Sequence, residues 1–210
     1  MGRTSDARER LIETALRLWF ERSYAAVGVN EICEEAGVRK GSFYHFFPSK
    51  SDVALAVLDH RKEQALELVF APAFEANASP LARLERLVEV QYQLQRGLQT
   101  QSGAVMGCPI GNLALELSTQ DDQVRERCVQ LFDDWISLIE PLLTEAVELG
   151  ELPPIDVRRA ATAVVAYLEG ILLLAKTRND IDLITDLAQG VHQLAAGFAA
   201  SARTSEESNQ

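Results

Sequence analysis

The stretch VRKGSFYHFFPSK, residues 38–50, gathers three cations, a histidine, a tyrosine and three phenylalanines in a chain whose pI is about 4.8. Cations, hydroxyls and free helix amides bind phosphate oxygens, while hydroxyl and imidazole groups also reach base edges. Lys40 stands beside Gly41, which lets backbone approach a phosphate, and Ser42 can give or take a hydrogen bond at a base. Tyr44 and His45 can reach phosphate or base. Lys50, at a helix start, offers an ammonium and helix amides together. Phe43 and Phe47 are four apart, share one helical face and are expected to anchor the segment in a small core. A second reactive group is Cys108 in MGCPIGN, residues 106–112. It precedes Pro109 at a predicted helix N-terminus, where the positive end of the helix should lower a thiol pKa. A thiolate there could add to an electrophile or oxidise to a sulfenic acid.

Helices must position these groups, because the apolar spacing is helical almost throughout and no period-2 runs between turn signals occur. The first helix is expected to open near Thr4 or Ser5 and to bury Leu11, Ile12, Ala15, Leu16, Trp19 and Phe20. A short second helix follows Gly28, turning Val29, Ile32, Cys33 and Ala36 inward. Gly37 should take positive φ in a tight turn. KGSFYHFF forms a third helix, stopped by Pro48, and Ser49 caps the next. Two short helices across a glycine turn, after a longer one, describe a helix-turn-helix whose second short helix enters the DNA major groove. Longer helices are then expected from Lys50 to about Phe70, over 81–101, 108–118 and 121–149 (with Pro141 inside), and over 156–177 and 181–200. The chain divides into a DNA-binding domain, 1–50, a ligand-binding and dimerisation domain, 51–203, and a polar tail, 204–210.

Charge is divided the same way. Residues 1–62 hold ten Lys/Arg and nine Asp/Glu, whereas residues 63–210 hold ten against twenty-two. A polyanion could approach only the N-terminal end. The longest apolar run, 160–175, is short for a membrane span and is broken by Glu169. The polar N-terminus has no signal-peptide core, and three irregularly spaced cysteines make neither a disulfide framework nor a zinc pattern. The expectation is a cytoplasmic protein with no membrane, metal or cofactor. His60 and His192 read as surface or packing residues.

VNEICEEAGVRKGSFYHFFPSK, residues 29–50, with RLIETALRLWFERSYAAVG before it, closely resembles the N-terminal domain of TetR-type transcriptional repressors. The resemblance implies an all-α homodimer with three N-terminal helices on DNA and a larger helical part that binds a small molecule and dimerises through its last two helices. The DNA contacts then fall on Asn30, Lys40, Ser42, Tyr44, His45 and Lys50, and the partner is double-stranded, palindromic operator DNA. Val27 and Gly28 stand where many members carry a capping Ser or Thr, and Asn30 replaces a common arginine. A hollow C-terminal core would be lined by Tyr92, Gln95, Met106, Asn112 and Trp135. Some members with a similar G-C-x-x-x-N segment sense electrophiles or oxidants at this cysteine.

The reading is a repressor, not an enzyme, released by a small molecule of unknown identity or by modification of Cys108. No Ser-His-Asp spacing, glycine-rich phosphate loop or metal motif supports catalysis. The alternative is a helical DNA-binding protein without a small-molecule effector, acting through protein partners.

Overall fold

The computed structural model describes residues 2–74 and 78–198, and among these no strand occurs. The expected polar tail, 204–210, lies outside the described residues. The fold is all-α. Helix α1 (Gly2–Glu21) is already running ahead of Thr4, earlier than its predicted start. α2 (Val29–Glu35) and α3 (Lys40–Phe46) pack on it around Leu11, Ala15, Ile32 and Phe43, each with no exposed surface. Leu16 and Phe20 are only half-buried, and Leu18 takes a core position.

The turn chemistry matches the expectation. Gly28 precedes α2 in an extended conformation, and Gly37 has φ +62°. Ser49 and Asp52 form a reciprocal capping box that starts α4 (Lys50–Ala65). The chain then continues, further than predicted, through a π-helical turn (Leu66–Phe70) into α5 (Ala71–Ala73).

The body consists of α6 (Pro80–Ser102), α7 (Pro109–Leu117), α8 (Asp122–Glu148) and α9 (Val157–Arg178), with α8 unbroken through Pro141. α9 is long and apolar enough to cross a membrane by length and composition. It packs against α8 and α11 (Gly190–Ala196).

The final predicted helix is instead two, α10 (Asp182–Asp186) and α11. A residue of α9 explains the break. The Tyr167 hydroxyl donates to the Leu187 carbonyl at 2.9 Å, inside the turn between them. A Cβ on Gly190 would stand 2.0 Å from that hydroxyl. Gly190→Ala is therefore expected to lower the thermal midpoint, costing about 1–3 kcal/mol through overpacking. An unchanged melting curve would show that Tyr167 swings away freely. His192 ties α11 to α6 through the Leu81 carbonyl at 3.0 Å, as a packing residue.

Candidate nucleic-acid interface and effector cavities

Helix α3 has one buried and one bare side. Phe43 and Phe47 point down into the head, their rings 5.9 Å apart. That orientation turns Lys40, Ser42, Tyr44 and His45 outward, all exposed. Asn30 on α2 is exposed as well. Five of the six predicted contact residues thus stand free on the two short helices. A Cβ on Gly41 would meet nothing of this chain within 4 Å, so internal packing does not require the glycine. Arg39, exposed at the N-cap of α3, adds a cation that the motif comparison passed over. Arg10 Nε donates to the Ala36 carbonyl at 3.1 Å and fixes the turn between the short helices. Two nearby carboxylates are occupied: Glu31 pairs with Arg22, and Glu35 with Arg17 at 3.0 Å. Ion pairing of these two acids leaves the exposed cations of α3 uncompensated by them.

Lys50 is placed differently. Its ammonium lies 3.9 Å from the centre of the Tyr24 ring and donates to the Tyr24 carbonyl. Burial lowers its pKa, partly offset by Glu116. In this conformation it ties the start of α4 to the α1–α2 turn.

The junction has two further polar contacts. Glu116, near the end of α7, accepts from the backbone N–H groups of Tyr24 and Ala25, each at 3.1 Å. Ser51 at the start of α4 donates to Asp121, the N-cap of α8. Helix α7 therefore holds the α1–α2 turn with its far end.

Its near end starts at Cys108, which is the N-cap as predicted. The Gly111 N–H donates to Sγ at 3.3 Å. The expected thiolate is overturned: burial pushes the thiol pKa well up, and the Glu169 carboxylate beside it pushes in the same direction. Donation from Gly111 and Ile110 opposes this but is outweighed. Glu169 belongs to α9. One carboxyl oxygen lies where a Cβ on Gly111 would come within 2.4 Å of it, so the glycine makes room for the acid. Burial raises the Glu169 pKa to about 7, against a smaller lowering by the Cys108 contact.

Cys108 lines two cavities. The larger, about 550 Å³, lies between α7, α8 and α9, with mostly apolar walls and Asn112, Ser118, Thr162, Glu169 and Lys176 as polar groups. Lys176 donates to Asn112 at 3.0 Å. The smaller, about 260 Å³, lies between α4, α6 and the start of α7. Of the predicted lining residues, Asn112 borders the first, whereas Gln95 and Trp135 border the second. Gln95 is buried and holds Gly107 at both its N–H (3.0 Å) and its carbonyl (2.9 Å). Tyr92 and Met106 border neither and pack instead, Tyr92 against the core and Met106 buried. Glu169, Lys176 and Arg61 were missed. For Glu169 a signal existed: it is the lone charge in an apolar run.

Residues 11–57 match the family of bacterial regulatory proteins named for tetR, and residues 80–197 match the tetracyclin repressor-like C-terminal domain. The transcriptional regulator AcuR of Cereibacter sphaeroides is 32% identical over 171 residues, which are 81% of this chain and 76% of that protein. The HTH-type transcriptional repressor DhaR of a Mycobacterium species is 30% identical over 152 residues, 72% of each chain. The crystal structure of a regulatory protein TetR from Rhodobacter sphaeroides is 29% identical, with a TM-score of 0.79 over 90% of this chain and 98% of that one. Head and body match together, and the chain belongs to the TetR family of DNA-binding transcriptional regulators.

Proposed function

We propose that this protein is a repressor that leaves a palindromic operator when a small molecule fills the cavities beside Cys108. One observation carries the reading. Helix α7 has Cys108 and both cavities at one end and the Glu116 hold on the α1–α2 turn at the other. A ligand that shifts this nine-residue helix moves the reading head directly. Members of the family bind operator DNA, form homodimers and respond to small effectors.

In this reading Asn30, Lys40, Ser42, Tyr44 and His45, with Arg39 added, face DNA. The head ends at Lys50, where α4 starts, and residues 51–203 form the effector and dimer part. The homodimer forms through α9 and the α10–α11 segment, and Leu173 and Leu174 of α9 are exposed as such a surface requires. A reducing cytoplasm suits three free, buried cysteines.

A neutral, buried thiol favours noncovalent occupancy over rapid modification. Covalent addition at Cys108 keeps one supporting observation, the access to Sγ from both cavities. The two are separated by fluorescence anisotropy on DNA from upstream of the gene, comparing wild type with Cys108→Ser, with and without N-ethylmaleimide at neutral pH. The expected result is that both proteins bind and that the maleimide releases neither within minutes. Rapid release of wild type alone would establish the covalent route. Failure of both to bind would remove the repressor reading.

A further inference from the structure

Arg61 lies on α4 and borders the smaller cavity. Its Nε is buried and has no hydrogen-bond partner, and its Nη1 donates to Gln64 at 2.6 Å. Among the described residues no carboxylate comes within 4.0 Å of this guanidinium. Burial lowers its pKa, yet a guanidinium stays charged under any physiological condition. Burying a cation with no counter-charge is strongly unfavourable, and folds ordinarily pair such a group or leave it in water. Here the guanidinium is partly buried and unpaired in a chain of net charge −11, where acidic partners are plentiful.

The walls indicate what the missing counter-charge belongs to. Leu68, Leu94, Leu98 and Trp135 make most of the cavity apolar. Gln91 borders it with an amide that holds no partner among the described residues. Gln95 is already committed to Gly107.

We infer that the smaller cavity binds a small apolar carboxylate, its carboxyl group on Arg61 and Gln91 and its body against Trp135. This deepens the effector reading and rests on it only for the consequence to DNA. A guanidinium presents paired N–H donors that match a carboxylate. One cation balances one negative charge; a phosphate monoester dianion would remain undercompensated among these walls. The volume sits below the usual range for drug-sized ligands of roughly 300–1,000 Å³, which favours a small acid.

The test uses the full chain and needs no DNA. Benzoate, cinnamate and hexanoate are titrated against their primary amides, read by tryptophan fluorescence and thermal shift. Wild type, Arg61→Met and Arg61→Lys are compared. In wild type at least one acid is expected to bind roughly tenfold or more tighter than its amide. The preference should vanish in Arg61→Met and be partial in Arg61→Lys. Without ligand, Arg61→Met should melt at or above the wild-type temperature, because an uncompensated charge has been removed. No acid preference in wild type, a preference that survives in Arg61→Met, or a Met variant that melts well below wild type each overturns the inference. Anisotropy on DNA separates the two readings. Acid binding without DNA release leaves this site standing and removes its effector role. Release by an uncharged ligand, with no acid preference, does the reverse.

Discussion

Lys40→Ala combined with Tyr44→Ala is expected to weaken operator binding by about 100-fold or more while leaving the melting temperature nearly unchanged. Both side chains are exposed on α3, and Tyr44 has 49% of its surface free, so the fold loses little. The magnitude follows from the proposed homodimer, which loses every contact twice. A base-edge or phosphate contact contributes about 1–3 kcal/mol, and two copies of even the smaller value reach the stated loss when both residues change. Lys40→Ala alone should lower the slope of log affinity against log salt by about 2, roughly 0.9 for each phosphate neutralised. Lys50→Ala provides the contrast. Its ammonium rests on the Tyr24 ring and carbonyl, so the salt slope should hardly change while the head–body junction loosens. Phe43→Ala, which removes a side chain with no exposed surface, should cost about 3–5 kcal/mol of stability. Equal DNA affinity for the Lys40/Tyr44 double variant and wild type would sink the placement of α3 in the groove.

The head was legible because its information is local. The glycine turn, capping serine and paired phenylalanines all act within a few residues, and each stands where the spacing put it. What local spacing does not contain shares the opposite property. Lys50 reads as a phosphate ligand from its helix start and from the family motif, whereas its contacts with Tyr24 and its proximity to Glu116 come from elsewhere in the chain. The break between α10 and α11 depends on Tyr167 of another helix, whereas the intervening residues 187–189 read as helix formers. Tyr92 and Met106 have the right residue types for a pocket, but spacing could not say that they pack outside both cavities. Arg61 and Lys62 are adjacent cations that spacing does not tell apart, yet Lys62 pairs with Asp134 at 2.7 Å whereas Arg61 borders the smaller cavity. Cys108 is the clearest case. Its cap position was correctly placed, and the helix-end effect does act through the Gly111 and Ile110 amides. The sign of its pKa shift is set by burial and by Glu169, neither of which a local reading contains.

Glu169→Gln is expected to stabilise the protein, and increasingly so as the pH rises. The Glu169 pKa is raised by burial from 4.5 in the unfolded chain to about 7 in the fold. The folded state thus holds the proton more tightly, and between these values stability falls with rising pH. At 1.36 kcal/mol per pK unit, the full effect is about 3 kcal/mol, reached above pH 7 and nearly absent at the unfolded pKa. Glutamine has the same shape and no charge to bury, so the variant escapes this loss. Urea unfolding at about pH 5 and pH 8 should therefore give midpoints that nearly coincide in acid and separate in base, with the variant higher. The same substitution removes the second-largest cause of the raised thiol pKa at Cys108. Its reaction with N-ethylmaleimide should then be faster than in wild type at a given pH, since the thiolate is the nucleophile. A stability gap that stays constant between the two pH values would show that the Glu169 carboxyl is solvated in the fold. A slower reaction would show that it assists Cys108 by accepting its proton. The direction of the two changes together decides whether α9 places this acid against α7 as a brake on the thiol or as its base.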